Sequence, residues 1–395
     1  MRSSSVKKLF IGLLIAVVAG GFYQYFRPVP GIAPLGHTPA APKTTATALP
    51  WPAIGQAALG ADGYGLLESH GNATPAPTAS VGKVITALAV LQKKPLALGS
   101  QGPTVTLDQT DLDYFNYYYS NDGSVAKVSV GEQITEYQML QAMLIPSANN
   151  IADSLARWAF GSTRAYITYA NQMVKDMGLS RTTVGNTNGF DDSTLSTADD
   201  LVKLGLTALK DPVIADIVNQ KSASVPVQGN IKNVNWLLGN DGVVGIKTGN
   251  TDKAGGCYLF AANRQILGQQ FTMVGAILGA TDLAHAITTG RDLLVAADNG
   301  FEKIKVISKG QALGSYTAPW GAQSQLASSK DLFLTIWKGK DIEITSNLEP
   351  ASAPAKAGAA IGSVRVAGNN HSASSPLYLS QDLPGPSLGW RLFRK

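Results

Sequence analysis

A single cysteine, Cys257, stands in a chain of 395 residues, so no intrachain disulfide can form and no thiolate cluster can hold a metal. Histidine is nearly as scarce. His37, His70, His285 and His371 are scattered, none lies in a motif, and no ligand spacing for a metal emerges. No cofactor or metal is expected. Charged residues make up only 15%, with a net charge of +5 and a pI near 9.0. That excess is too diffuse for a nucleic-acid surface and suits an anionic lipid or an acidic polymer. Long apolar runs are confined to the N-terminus. At 45% hydrophobic the remainder is globular, and its length allows two or three domains. Cys257 follows Gly255-Gly256 in an apolar strand pattern and reads as a buried structural thiol.

Arg2, Lys7 and Lys8 precede an almost uncharged run from Leu9 to Phe26, which ends in Phe22, Tyr23, Tyr25 and Phe26. This is close to the shortest span that crosses a bilayer, and the basic flank predicts a cytoplasmic N-terminus with the aromatics at the outer interface. The reading taken is a retained single-pass anchor with the rest of the chain outside the cytoplasm. The rival is a cleaved signal peptide, with Val17-Val18-Ala19 as a cleavage site and a secreted product. Pro28 to Pro50, rich in Pro, Ala, Thr and Gly, lacks periodicity and reads as an extended tether.

Three motifs follow in order: Ser80-Val81-Gly82-Lys83, Ser147-Ala148-Asn149 and Lys247-Thr248-Gly249. A serine hydroxyl is a poor nucleophile until a base takes its proton. Lys83, one helical turn after Ser80, projects from the same face and can be that base. A lysine serves as a base only when its charge is disfavoured, and a second cation such as Lys247 does this. Each motif alone is weak: Ser-x-x-Lys also occurs at Ser4/Lys7 and Ser5/Lys8 in the basic leader, and Ser147 or Asn149 would equally cap a helix. In conjunction they define acyl-transfer equipment. Pro77-Thr78-Ala79 reads as a helix start with Thr78 as N-cap, which places Ser80 in a first turn whose N–H groups and dipole favour an oxyanion. Val81 to Leu91 reads as a buried central helix, with Gly82 leaving room for a substrate.

The stretches TASVGKVITALAVL, MLIPSANNIADSLARWAFGS, GFDDSTLSTADDLVKL and NVNWLLGNDGVVGIKTGNTDKAGGCYLFAANR resemble the serine D-alanyl-D-alanine carboxypeptidases, the penicillin-binding proteins of low molecular mass. The likeness runs from about Trp51 to Phe301 and continues more faintly to about Leu383. It implies an α+β fold of the β-lactamase/DD-peptidase type, a helix-flanked antiparallel sheet followed by a small all-β C-terminal domain. It also implies peptidoglycan stem peptide ending in D-Ala-D-Ala as substrate, and acylation by β-lactams. By the resemblance Ser80 is the nucleophile, Lys83 its base, and Ser147 the relay that protonates the leaving D-alanine. Asn149 would hold the substrate's peptide, and Lys247, Thr248 and Gly249 would form the strand along which it lies. The backbone N–H groups of Ser80 and Asn250 would bind the oxyanion, and Thr248 with Lys247 would receive the terminal carboxylate.

Two positions depart from that pattern. Gly82 stands where many members carry threonine. No arginine follows Leu278-Gly279-Ala280 until Arg291, which leaves His285 as a substitute anchor for the carboxylate or as an ordinary surface histidine.

The expected organisation is an anchor or signal over 1–28, a linker over 29–50, a catalytic domain over 51–301, a β-rich domain over 302–384 and a short basic tail over 385–395. Within it, Ala57–Glu68 reads as an edge hairpin, 80–210 as the helical centre, 242–278 as the remaining strands and 284–300 as a closing helix. Asp113 to Asp122, with five aromatics, is read as a loop flanking the cleft or a packed hairpin. In the β-rich domain strands are expected at 304–307, 332–337, 342–345, 362–366 and 377–379. Two other functions fit parts of the pattern. A β-lactamase would share the fold, but no Glu-x-x-x-Asn lies between Asn149 and Lys247 to supply a deacylating glutamate. A non-enzymatic wall-binding scaffold would have no need of Ser80, Lys83, Ser147 and Lys247.

Overall fold

The computed structural model describes residues 2–394. Met1 and Lys395, the outermost residues of the expected anchor and tail, lie outside the described residues. Its helices are α1 (Arg2–Phe26), α2 (Lys83–Lys93), α3 (Gln109–Ser120), α4 (Glu136–Leu144) and α5 (Asn149–Phe160). Then come α6 (Thr163–Asp176), α7 (Ala198–Ala208), α8 (Pro212–Val218), α9 (Leu283–Ala297) and α10 (Leu388–Phe393). The chain divides into two units: 46–301, and 2–45 together with 302–394.

The larger unit is built on a five-stranded antiparallel sheet of β1 (Gln56–Ala61), β2 (Gly65–His70), β3 (Val243–Thr251), β4 (Gly255–Ile266) and β5 (Gln269–Ala280). Its strand order is β3-β4-β5-β1-β2, so the edge strand β3 carries the Lys-Thr-Gly motif. The inner strands read as near-continuous apolar runs because helices cover both faces. Gly205 of α7 meets Ile246, Leu259 and Val274, whereas Gly290 of α9 meets Tyr258 and Phe260. Neighbouring residues of one strand point to opposite faces, so α7 and α9 lie on opposite sides of the sheet. The α2 helix is wrapped by α4, α5, α6 and α7, and every residue from Lys83 to Leu91 is buried. This explains why a sequence so apolar, at Val84 to Leu91, begins on a lysine: one polar group is carried to the edge of the core.

Three local expectations are corrected. Residues 113–120 form neither loop nor hairpin but most of α3, and Asn121 and Asp122, in the turn after it, flank the cleft as expected. Asp108 accepts from Thr110 N at 2.8 Å, and Asp111 accepts from Asp108 N at 2.9 Å, a reciprocal cap that nucleates the helix ahead of the aromatics. Phe115 then stacks on Tyr119 one turn later, and Tyr118 packs edge-on to Phe190. Thr78 occupies the N-cap position but makes no side-chain cap; its hydroxyl donates to the carbonyls of Ala79 and Thr194. Gly82 opens no room for substrate: a Cβ there would sit 3.1 Å from Thr78 Oγ1 and 3.2 Å from Thr194 Cγ2, so the glycine permits close packing instead.

The second unit contains a six-stranded sheet ordered Pro34–Gly36, Ala312–Thr317, Gln323–Ser328, His371–Leu379, Ala360–Gly368 and Glu343–Asn347. Leu332–Trp337 lies where the alternation places it. Ala312–Thr317 and Gln323–Ser328 are additional, their alternation diluted by Gly, Ser and Gln. The segment 29–50 is not a free tether throughout. Ile32 and Ala351 exchange backbone hydrogen bonds of 2.8 and 2.9 Å, and Pro34–Gly36 pairs with Gly314–Tyr316. Ile32 is buried among Tyr316, Ala351 and their neighbours, which supplies the apolar anchor that a Pro/Ala/Thr composition conceals.

In the same unit, α1 includes Ser5–Phe26, long and apolar enough to cross a membrane, with nearly all of these side chains exposed. Its last turn is capped from the far end of the chain. Arg391 donates to Tyr25 O at 3.0 Å, and Arg394 donates to Gln24 O at 3.0 Å and Pro28 O at 3.1 Å. Guanidinium groups there satisfy carbonyls that have no partner within the helix, and their charge suits its negative end.

Candidate active site

Ser80 lies in a short 3-10 turn, Ala79–Gly82, that runs directly into α2. It is half-buried, whereas Lys83, three residues on, has no exposed surface. Lys83 Nζ donates to Ser80 Oγ at 2.8 Å, to Asn149 Oδ1 at 2.6 Å and to the carbonyl of Asn188 at 2.8 Å. Three acceptors fix the nitrogen. Burial pushes the Lys83 pKa well below its ordinary value; the charge on Lys247 adds to the depression, and Asp153 opposes it. Lys247 is itself buried, and burial lowers it to about 7.

The turn before α5 brings up the second motif. Ser147 takes a positive φ of 71°, which is strained for a residue with a Cβ, and its Oγ is buried without a hydrogen-bond partner. Asn149 opens α5, with Ala148 in the cap position, so neither polar residue of the motif is used as a helix cap. Ala79, directly before the serine, also has positive φ, 45°. The third motif lies against the first. A Cβ at Gly249 would sit 2.7 Å from Ser80 N and 3.2 Å from Val81 N, so β3 passes Ser80 at a distance only glycine allows. Lys247 Nζ donates to Thr248 O at 3.1 Å.

The structure therefore brings Ser80, Lys83 and Asn149 into direct hydrogen-bonded contact and sets Gly249 against the Ser80 amide. Thr248 is buried, and Asn250 is exposed on the cleft wall. That cleft, about 430 Å³, is lined by Ser80, Asn149, Phe190 and Asn250, with Asp122, Asp192 and Lys253 among its other residues. His285 does not line it; Asp282 accepts from the His285 amide at the start of α9, and its second oxygen lies 2.7 Å from His285 Nδ1. Among the described residues, no group of three or more His, Cys, Asp or Glu is placed to hold a metal ion.

Asn188 is a participant that residue patterns did not single out, because it acts through its backbone carbonyl. Its only signal is the turn-forming run Asn186-Thr187-Asn188-Gly189, where Asn186 Oδ1 accepts from the amides of Asn188 and Gly189. Gly189 has φ 73° and approaches the Ala79 carbonyl, which locks this loop onto the serine turn. Cys257 is buried, and burial pushes its thiol up to about 12, as befits a structural residue.

A serine bonded to a buried lysine, between a polar turn and an edge strand of a helix-covered antiparallel sheet, defines a serine hydrolase of the penicillin-recognising class. The D-alanyl-D-alanine carboxypeptidase family model matches residues 62–281, and the penicillin-binding protein 5 C-terminal domain matches residues 301–384. A D-alanyl-D-alanine carboxypeptidase of Streptomyces sp. (strain K15) is 29% identical over 266 residues, 63% of this chain and 87% of that protein. DacA of Escherichia coli (strain K12), a D-alanyl-D-alanine carboxypeptidase, is 27% identical over 266 residues, 64% of each chain. The crystal structure of the Streptomyces K15 DD-transpeptidase covers 65% of this chain and 98% of its own, with TM-score 0.54 and 25% identity. Penicillin binding protein 5 from Haemophilus influenzae covers 89% and 100%, with TM-score 0.59; at 22% identity it speaks to the fold alone. The chain belongs to the D-alanyl-D-alanine carboxypeptidase family.

Proposed function

We propose that this protein removes the terminal D-alanine from peptidoglycan stem peptides through an acyl-enzyme on Ser80, and that penicillins acylate the same serine. The observation that carries this reading is the 2.8 Å contact of the buried Lys83 Nζ with Oγ of Ser80, which lines the cleft. Neutral Lys83, whose two N–H groups go to Asn149 Oδ1 and Asn188 O, turns its lone pair to Ser80 Oγ and takes its proton as Oγ bonds to the carbonyl carbon of the penultimate D-alanine. The resulting oxyanion sits between the N–H groups of Ser80 and Asn250. Ser147 takes that proton from Lys83 as it passes its own to the departing amine, which returns Lys83 to the neutral form; its buried, unpartnered hydroxyl is suited to a bond that only substrate completes. Asn149 steadies the peptide, and Thr248 with Lys247 receives the terminal carboxylate. Water, deprotonated by Lys83, then cleaves the ester and restores Ser80.

An opened β-lactam keeps its leaving group tethered and blocks that water. The adduct should outlive the peptide acyl-enzyme. Anchoring belongs to the same proposal: α1 is retained in the membrane, and the catalytic unit works outside the cytoplasm. Release of D-alanine from a D-Ala-D-Ala peptide, with a labelled penicillin recovered on the Ser80 tryptic peptide, tests the reading. Label on Ser80→Ala, or penicilloate accumulating within one turnover, would overturn it, the second in favour of a β-lactamase.

A further inference from the structure

Asp153 is a buried carboxylate one helical turn beyond Asn149, on the same face of α5, and the acylation chemistry above assigns it no role. Both of its oxygens accept. Tyr118 OH donates to Oδ2 at 2.7 Å, and Thr187 Oγ1 donates to Oδ1. Tyr118 OH in turn accepts from Asn188 Nδ2 at 2.6 Å, so its single proton is committed to Asp153. Two hydroxyl donors and no acceptor are the surroundings of an ionised carboxylate.

The two residues held in this way carry the carbonyls that fix α2. Asn188 O accepts from Lys83 Nζ at 2.8 Å, and Thr187 O accepts from Thr86 Oγ1 at 2.5 Å, whose hydroxyl lies 2.7 Å from Tyr166 OH. Asp153, Tyr118, Thr187 and Asn188 are all buried, so each bond acts in a medium with little water to replace it.

We propose that Asp153 is a positioning residue for Lys83. Through Thr187 and Tyr118 it sets the carbonyl that aims the lysine nitrogen at Ser80, and its negative charge counters the field of Lys247 on that nitrogen. The inference rests on Lys83 being the base. The charged and titratable groups around Asp153 come from several elements: Lys83 on α2, Tyr114 and Tyr118 on α3, Tyr166 on α6 and Asp191 on the following loop. The charge of Lys247, on β3, also acts on Lys83. Burial pushes the Asp153 carboxyl above its ordinary value; the hydrogen bonds from Thr187 and Tyr118 and the charge on Lys83 oppose that rise, and Asp191 adds to it. Asp153 in turn favours the charged form of Lys83. Two buried lysines without a counter-charge would hold the base neutral over a wider range of pH. With Asp153 the lysine keeps enough basicity to pull the serine proton.

The experiment is the second-order rate of acylation by a fluorescent penicillin across pH 5 to 9, normalised by active-site titration, on the full chain and its variants. Asp153→Asn keeps the shape, and the Thr187 hydroxyl can turn to accept from the new amide; only the charge is lost. Its acid limb should move toward lower pH by roughly half a unit or more. Tyr118→Phe keeps the carboxylate but cuts the link to Asn188, so its plateau should fall about tenfold. A purely structural role would lower the fraction of active protein and leave the normalised profile untouched. An unshifted acid limb in Asp153→Asn overturns the proposal. Near-normal acylation by Lys83→Ala would instead remove the base assignment on which it rests.

Discussion

Replacing Gly249 by alanine tests the packing of the site through one methyl group. The added Cβ would sit 2.7 Å from Ser80 N, 2.9 Å from Ala79 Cβ and 3.2 Å from Val81 N, so two of its three neighbours are backbone atoms with no rotamer to escape into. Reaching an ordinary contact near 3.4 Å requires β3 and the serine turn to part by about 0.7 Å. β3 is also tied to β4 through Gly249↔Cys257 and its neighbouring pairs, so the separation opens at Ser80 instead of spreading along the sheet. A misplacement approaching 1 Å costs about 10²-fold in rate, and loss of one oxyanion donor costs about 10²–10³-fold. Overpacking of this kind costs about 1–3 kcal/mol, which for a unit of this size lowers Tm by about 2–10 °C. Acylation by a fluorescent penicillin, followed in parallel with thermal unfolding, reads both effects. An acylation rate within threefold of the parent, with Tm unchanged, would refute the claim that β3 is held against the serine amide.

Lys247→Met should raise Tm near pH 7 while abolishing turnover, because burial lowers the lysine to about 7 from an unfolded value near 10.5. The unfolded chain binds the extra proton between those values, so the parent gains stability as pH rises through that window and the Tm gap should close toward pH 10. Thr248→Val should impair cleavage of a D-Ala-D-Ala peptide at least tenfold more than penicillin acylation, since a strained lactam needs less help from the carboxylate contact; equal losses would place the carboxylate elsewhere. If α1 is a retained anchor, the protein sediments with membranes, resists release by high salt and keeps Arg2 near its mature N-terminus; a mature N-terminus at Gly20 or beyond would show a cleaved signal.

What could be seen in the sequence follows the chemistry of each position. Ser80, Lys83, Asn149 and Lys247 stand out in the sequence because the proposed acyl transfer would demand those side chains at helical and strand spacings, and β1 to β5 because buried strands leave apolar runs between turn residues. Asn188 escaped because a carbonyl acceptor has the same formula in every residue. Asp153 escaped because a polar residue inside an amphipathic helix gains meaning only from what packs over it. α3 was misread because five aromatics in ten residues look like strand or loop, while the decisive signal, the Asp108–Asp111 cap, lies upstream of them. Gly82 was misread for a related reason: its neighbour Thr194 is more than a hundred residues away in sequence. The strand Pro34–Gly36 has too little side chain to announce itself.

That short strand decides where the chain can be cut. The smaller unit is assembled from both sides of the catalytic unit in sequence, with Pro34–Gly36 covering the outer edge of Ala312–Thr317. Residues 302–394 expressed alone would present that edge bare, a row of unpaired N–H and C=O groups ready to capture a second copy. A soluble variant made by deleting α1 and everything up to Trp51 would carry the same defect. A deletion ending before Ile32 removes the apolar helix and leaves Ala312–Thr317 covered by its partner strand.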